Sequence, residues 1–112
     1  MLFRSLSSCA GLLTGYLGAA DQGRAILDAA AHLRRANPDA LWLADPVIGD
    51  HGRIYVKTGI AEFIRDQVVP QADIVTPNAF ELEYLSGRVP DTTVAAITAI
   101  DALRREIGRA HV

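Results

Sequence analysis

The sequence contains few of the residues that mark specialised classes of protein. Its 112 residues include a single cysteine, Cys9, which excludes an intrachain disulfide framework, and no group of cysteine and histidine has the spacing of a metal site. No apolar run approaches the roughly 20 residues that a membrane-spanning helix needs. Basic stripes are also absent, because 11 lysines and arginines are scattered among 13 acidic residues and the net charge is −2. We therefore expect neither a membrane nor a nucleic acid as a partner.

The first twenty residues faintly resemble a secretory signal peptide. Serines at positions 5, 7 and 8 interrupt the apolar run, and its most apolar piece, residues 10–13, is too short for the hydrophobic region of such a peptide. We therefore expect the protein to be cytoplasmic rather than secreted.

The composition is that of an ordinary globular domain. Half of the residues are hydrophobic and 21% are charged. A chain of this length can bury one genuine core but is too short for two domains.

Apolar runs alternate with amphipathic stretches along the chain. Strands are predicted at residues 9–14, 41–48 and 74–76, with a polar glycine loop at 49–53 and a short extended piece at 54–56. Helices are predicted from an N-cap at Asp21 to Asn37, over residues 60–68, from an N-cap at Asn78 to Leu85, and from an Asp91 or Thr92 cap to Gly108. This alternation predicts an α/β fold with a parallel sheet and right-handed helical crossovers.

Polar or glycine-rich turns follow all three strands, at residues 14–18, 45–50 and 76–81. In a parallel sheet these turns lie on one edge, where ligands of open α/β sheets bind. Asp45 is the most informative residue, since a carboxylate after an apolar run is costly to bury without a cation or hydrogen-bond donors. It could instead only accept hydrogen bonds from the next loop. Together with Asp50 and Glu81, it favours a divalent cation bound with phosphate.

The turn at residues 76–81 (TPNAFE) permits two interpretations. Pro77 ends the strand, Asn78 lies where a helix N-cap belongs, and Glu81 follows three residues later, which is the spacing of a capping box. The same turn places polar side chains at a helix amino terminus, which favours anions such as phosphate. The spacing alone does not separate a structural cap from a ligand site.

Three stretches of the sequence carry a resemblance to a known family. Residues 45–50 (DPVIGD), 52–56 (GRIYV) and 69–87 (VPQADIVTPNAFELEYLSG) look like the middle of a pyridoxal kinase, and the likeness runs in order from about Leu12 to Ile107. The resemblance implies a three-layer, parallel-sheet α/β fold of the ribokinase-like superfamily. It also implies that residues 1–112 form the central part of one kinase domain whose amino- and carboxyl-terminal parts lie outside this chain.

The resemblance further implies a function and a set of site residues. The activity would be ATP-dependent phosphorylation of the 5′-hydroxyl of pyridoxal, pyridoxine or pyridoxamine. Asp45 matches an acidic position near the ATP phosphates and a monovalent cation, Asp50 a carboxylate associated with Mg²⁺, and Thr76 a position at the cation and nucleotide site. Asn78 and Glu81 match the Asn-x-x-Glu that organises Mg²⁺, its waters and the phosphates.

Other expectations concern the substrate and the missing parts. Tyr55 matches a tyrosine near the vitamer and its phosphate, whereas the Gly-x-Gly-Asp turn that carries the family's catalytic base does not occur in these 112 residues. We therefore expect negligible kinase activity from this chain alone. The resemblance also implies a homodimer for the full-length protein. The alternatives are a hydroxymethylpyrimidine kinase, which shares the Asp-Pro-Val and Thr-Pro-Asn-x-x-Glu turns, and a non-catalytic α/β module.

Overall fold

The computed structural model describes residues 6–107, with side chains described through residue 105. Its main sheet has the strands β1 (Gly11–Thr14), β2 (Leu41–Ala44) and, further along the chain, β5 (Ile74–Val75), in the spatial order β1-β2-β5. Both strand pairs are parallel, with Thr14 opposite Ala44 and Ala44 opposite Val75. The predicted α/β fold with a parallel sheet is confirmed.

The described residues also form α-helices and one π-helical turn, some of them between the strands and some after the last strand. They are α1 (Ala20–Ala36), α2 (Ile60–Phe63), the π-helical turn Ile64–Val68 that continues α2, α3 (Ala79–Ser86) and α4 (Thr93–Ile107). Helix α1 packs against β1 and α2, and α3 packs against α4. Within the described part of the chain, no helix is long and apolar enough to cross a membrane.

The predicted strand over residues 41–48 is wrong beyond Ala44. Pro46 has no amide proton for a ladder, and the chain turns there because the Val47 amide donates to the Asp45 carbonyl at 2.9 Å. Residues 49–54, predicted as a loop and a short extended piece, instead form an antiparallel hairpin of β3 (Gly49–Asp50) and β4 (Arg53–Ile54). His51 and Gly52 at its tip have φ values of 50° and 80°, as a tight hairpin turn requires.

Most of the predicted helix ends agree with the structure, and one differs. Thr92 caps α4, since its hydroxyl accepts from the Ala95 amide at 3.0 Å, and Gly87 ends α3 with a φ of 73°. The predicted N-cap at Asp21 is wrong because α1 begins at Ala20. The N-cap residue is Ala19, which has no capping side chain, and the Gln22 side chain instead accepts from the amide of Gly18, before the helix, at 2.8 Å. The predicted end of α4 at Gly108 lies outside the described residues.

The core lies between the sheet and the helices. Its largest side chains, less than 2% exposed, are those of Trp42, Ile48, Ile60, Ile64 and Leu103. Parallel strands are commonly buried on both faces, but in β2 Leu41 is 54% exposed while Trp42 is 1% exposed. On the adjacent edge strand, Leu13 is 74% exposed.

Candidate functional site

The carboxyl ends of the three parallel strands meet, as the sequence predicts. The Asp45 amide donates to the Thr14 carbonyl at 2.9 Å, and the Thr76 amide donates to the Ala44 carbonyl at 3.3 Å. These hydrogen bonds extend the sheet register one residue beyond the strands. Asp45 and Thr76 therefore follow neighbouring strands on the same edge of the sheet, next to the turn that begins α3.

The side chains of Asp45 and Thr76 are exposed. The argument that Asp45 needs a cation to compensate its burial is therefore wrong, because Pro46 is buried and turns the chain while the carboxylate before it remains in solvent. Exposure leaves the carboxylate free of a desolvation cost and accessible to a ligand. The significance of Asp45 rests on its place at the strand ends.

Glu81 is the buried carboxylate of this edge, with 3% of its surface exposed. Its Oε1 accepts from the Asn78 amide at 2.9 Å, and its Oε2 accepts from the amides of Ile48 at 2.8 Å and Gly49 at 3.4 Å. The Asn78 side chain accepts from the Glu81 amide at 2.8 Å, which completes the capping box. The structural interpretation of this turn is confirmed, and one carboxylate supports two segments of the chain.

Asn78 also has two partners. Its Oδ1 caps α3, and its Nδ2 donates to the Gly49 carbonyl at 2.9 Å. The peptide units around Ile48 and Gly49 are thus held by Asn78 and Glu81 together. Sequence reasoning missed these contacts, which join residues 29 to 33 positions apart and have no local pattern.

The hairpin carries the remaining predicted site residues. Asp50 is partly exposed, and its Oδ1 accepts from the His51 amide at 2.8 Å. Tyr55 is 51% exposed, and its amide donates to the Ile48 carbonyl at 3.1 Å. The hairpin tip, α3 and the segment after it enclose an open cavity of about 290 Å³, lined by Asp50, His51, Gly52, Ala79, Phe80, Glu83, Val89, Pro90 and Asp91.

The predicted magnesium ligands do not form a ready-made metal cage. Among the described residues, no three histidine, cysteine, aspartate or glutamate side chains are grouped so that they could hold a metal ion. Any Mg²⁺ at this edge therefore has to draw most of its ligands from phosphate oxygens and water, as Mg²⁺ commonly does.

Arg65, Asp66 and Tyr84 form a cluster beside α3, in which the pKa values of Asp66 and Tyr84 are shifted. The Arg65 guanidinium donates to Asp66 at 2.7 and 2.9 Å and lies 5.7 Å from the centre of the Tyr84 ring. The hydrogen bond from Arg65 lowers the pKa of Asp66, and burial raises the pKa of Tyr84. This cluster connects the π-helical turn to α3 and contains none of the predicted site residues.

Comparison with known proteins identifies the family. A family model described as phosphomethylpyrimidine kinase matches residues 7–112. The chain belongs to this family.

Curated relatives of this kinase family are named pyridoxal kinase PdxY. The chain is 49% identical over 105 residues to the protein of Granulibacter bethesdensis and 48% identical over 97 residues to that of Rubrobacter xylanophilus. These matches cover 93% and 86% of the chain but 37% and 33% of the relatives. The chain therefore spans about a third of the length of the curated kinases that it resembles.

Solved structures of kinases agree with the described fold. The pyridoxal kinase of Leishmania donovani in complex with ADP and pyridoxamine superposes with a TM-score of 0.80 at 34% identity, covering 93% of this chain and 38% of that one. A pyridoxal kinase from Trypanosoma brucei gives a TM-score of 0.74 at 30% identity, over 91% and 35% of the two chains. The ribokinase-like α/β fold expected from the sequence is confirmed as a partial fold.

Proposed function

We propose that this chain is the central part of an ATP-dependent kinase domain that phosphorylates the 5′-hydroxyl of pyridoxal, pyridoxine or pyridoxamine. The observation that carries the proposal is the meeting of Asp45, Thr76 and the start of α3 at the carboxyl edge of the parallel sheet. Solved structures of the Leishmania donovani kinase contain ADP with pyridoxamine or with pyridoxine. A site that combines exposed carboxylates with a helix amino terminus fits a magnesium–phosphate ligand.

The available donors fit Mg²⁺ with phosphate. Asp45 and Asp50 have carboxylate oxygens at or near solvent, and Thr76 has a hydroxyl at the end of the neighbouring strand. These residues would hold Mg²⁺ together with phosphate oxygens. A monovalent cation would bind next to Asp45 and Thr76. Mg²⁺ neutralises charge on the transferred phosphate. These residues bind and orient the phosphates, and Tyr55, at the end of the hairpin, binds and orients the vitamer. The resemblance assigns the general base to a Gly-x-Gly-Asp turn, which these 112 residues do not contain.

Titration of the chain with ATP, with and without Mg²⁺, tests the site. We expect Asp45→Asn to weaken ATP binding about tenfold in Mg²⁺, which is the scale of one charge-assisted contact. Without Mg²⁺, the same substitution removes a negative charge near the phosphates, so binding should be unchanged or tighter. Asp28→Asn on the exposed side of α1 is the matched control. Equal affinities of the two variants in Mg²⁺ would contradict the proposal and favour a non-catalytic module.

The second candidate is phosphorylation of hydroxymethylpyrimidine, which the description of the family model favours. A coupled ATP-consumption assay of the whole protein, run separately with pyridoxal and with hydroxymethylpyrimidine, distinguishes the two functions by their kcat/KM values. We expect pyridoxal to be preferred, and negligible turnover of either substrate by the 112 residues alone. A cytoplasmic location and a homodimeric whole protein belong to the same proposal, and fractionation and sedimentation test them.

A further inference from the structure

The position of the β3–β4 hairpin relative to α3 depends on few side chains. Glu81 supplies acceptors to the Ile48 and Gly49 amides, and Asn78 supplies a donor to the Gly49 carbonyl. Both side chains extend from the first turn of α3. Because a Cβ on residue 49 would overlap the Arg53 carbonyl oxygen, the hairpin backbone passes close to itself at the point that is held. The hairpin is therefore fixed where its backbone can shift least.

The hydrogen bonds of Glu81 leave its carboxylate little capacity for a cation. Both oxygens already accept from main-chain amides, and 3% of the residue is exposed. A carboxylate has about four acceptor positions, and the amides of Asn78, Ile48 and Gly49 already use three of them. A metal ion would find one position left on a side chain that solvent hardly reaches. Asp45 and Asp50 have no such restriction because their carboxylates reach solvent.

We propose that Glu81, assisted by Asn78, is a positioning residue that holds the hairpin against the start of α3, and that it does not itself bind the metal ion. Glu81 then acts on the nucleotide site through the hairpin, by fixing Asp50 and Tyr55 relative to Asp45 and Thr76. The link to nucleotide binding rests on the proposed function, whereas the clamp itself is a property of the fold.

The clamp is tested by amide hydrogen exchange of the chain, measured by NMR without metal or nucleotide. Glutamine at residue 81 offers one acceptor oxygen and one donor group, so Glu81→Gln cannot serve amides on both sides. We expect exchange at Ile48 and Gly49 to accelerate about tenfold or more. Exchange at Trp42, whose amide is bonded to Asp73, should not change. Glu83→Gln, two residues along the same helix with the same change of charge, is the control and should match the wild type.

Asn78→Ser is a second variant that does not depend on the stability of Glu81→Gln. Serine caps helices about as well as asparagine, so the Glu81 amide should remain protected. It lacks the donor that reaches the Gly49 carbonyl, and we therefore expect faster exchange in the hairpin, reported by the Tyr55 amide. Unchanged exchange at Tyr55 would overturn the proposal even if Glu81→Gln fails to fold.

Nucleotide binding distinguishes positioning from metal ligation. A positioning role predicts that Glu81→Gln weakens ATP binding while exchange at Ile48 and Gly49 accelerates, and that Asp50→Asn adds little in the Glu81→Gln background because Asp50 is already displaced. Loss of only the Mg²⁺-dependent part of the affinity, with exchange at Ile48 and Gly49 unchanged, would show that Glu81 is a metal ligand. Failure of the wild-type chain to bind ATP would overturn the proposed function while the exchange result still decides the clamp.

Discussion

Asp73 connects three parts of the fold at the amino edge of the sheet, and its replacement by asparagine gives the sharpest test of how the fold is stabilised. The residue is 8% exposed, and its Oδ2 accepts from Arg34 Nη2 at 2.9 Å and from the Trp42 amide at 2.8 Å. The same guanidinium donates to the Gln71 carbonyl at 2.7 Å and lies 5.6 Å from the centre of the Trp42 ring. One carboxylate thus joins α1, β2 and the start of β5.

The cost of Asp73→Asn follows from these contacts. Hydrogen bonds to a charged group contribute about 1.5–3 kcal/mol each, and a neutral amide oxygen retains part of that. The Arg34 side chain is 24% exposed, so water compensates some of the lost attraction and the full cost of breaking a buried ion pair does not apply. We expect the free energy of unfolding to fall by about 2 kcal/mol.

Urea unfolding measures this cost directly, because Trp42 is the single tryptophan of the chain and lies beside Asp73. With a urea dependence of about 1–3 kcal/mol/M, the midpoint should fall by roughly 1 M. Asp28→Asn serves as the control for a change of charge on the surface of α1. If the urea midpoint of Asp73→Asn equals that of the control, the contacts of Asp73 with Arg34 and Trp42 do not stabilise the fold and the reasoning is refuted.

Three further substitutions test other contacts. Gly49→Ala places a Cβ against the Arg53 carbonyl, and we expect a loss of about 1–3 kcal/mol in the same urea experiment. Thr14→Val removes the acceptor of the buried Trp42 indole N–H, now at 2.9 Å, and should cost about 1–3 kcal/mol, seen as a lower urea midpoint. Burial raises the pKa of Tyr84 above 10.0, so the unfolded chain loses the phenolic proton at a lower pH than the folded chain does. The free energy of unfolding should therefore fall as pH rises past 10.0. We expect the urea midpoint to fall less between a pH below 10.0 and a pH above it in Tyr84→Phe than in the wild type.

The sequence predicts most of the fold because its signals are local. Pro77, Asn78 and Glu81 lie within five residues and define a strand end and a helix start through backbone restrictions and capping, which depend little on the rest of the protein. The shared sheet edge also follows, since parallel pairing places strand ends together. Errors occur where the local signal is weak, as at Asp21, because α1 begins one residue earlier with Ala19 as its N-cap and no capping side chain.

The burial and the hydrogen-bond partners of each carboxylate could not be predicted from local sequence. Asp45 and Glu81 both follow apolar segments, yet Asp45 is exposed and Glu81 is 3% exposed. The difference arises from the Ile48 and Gly49 amides, which lie more than 30 positions before Glu81 in the chain. No spacing rule describes such a contact, because it depends on how the hairpin folds back after Pro46.

Trp42 connects the stabilising contacts of the amino edge with the candidate site at the other edge. Its main-chain amide binds Asp73, and its indole N–H donates to the hydroxyl of Thr14, the residue whose carbonyl accepts from the Asp45 amide. The ring is 1% exposed, and residues in one contact network share their energies. The position of Asp45 is therefore linked, through Thr14, to the packing of a side chain that is anchored at the opposite edge.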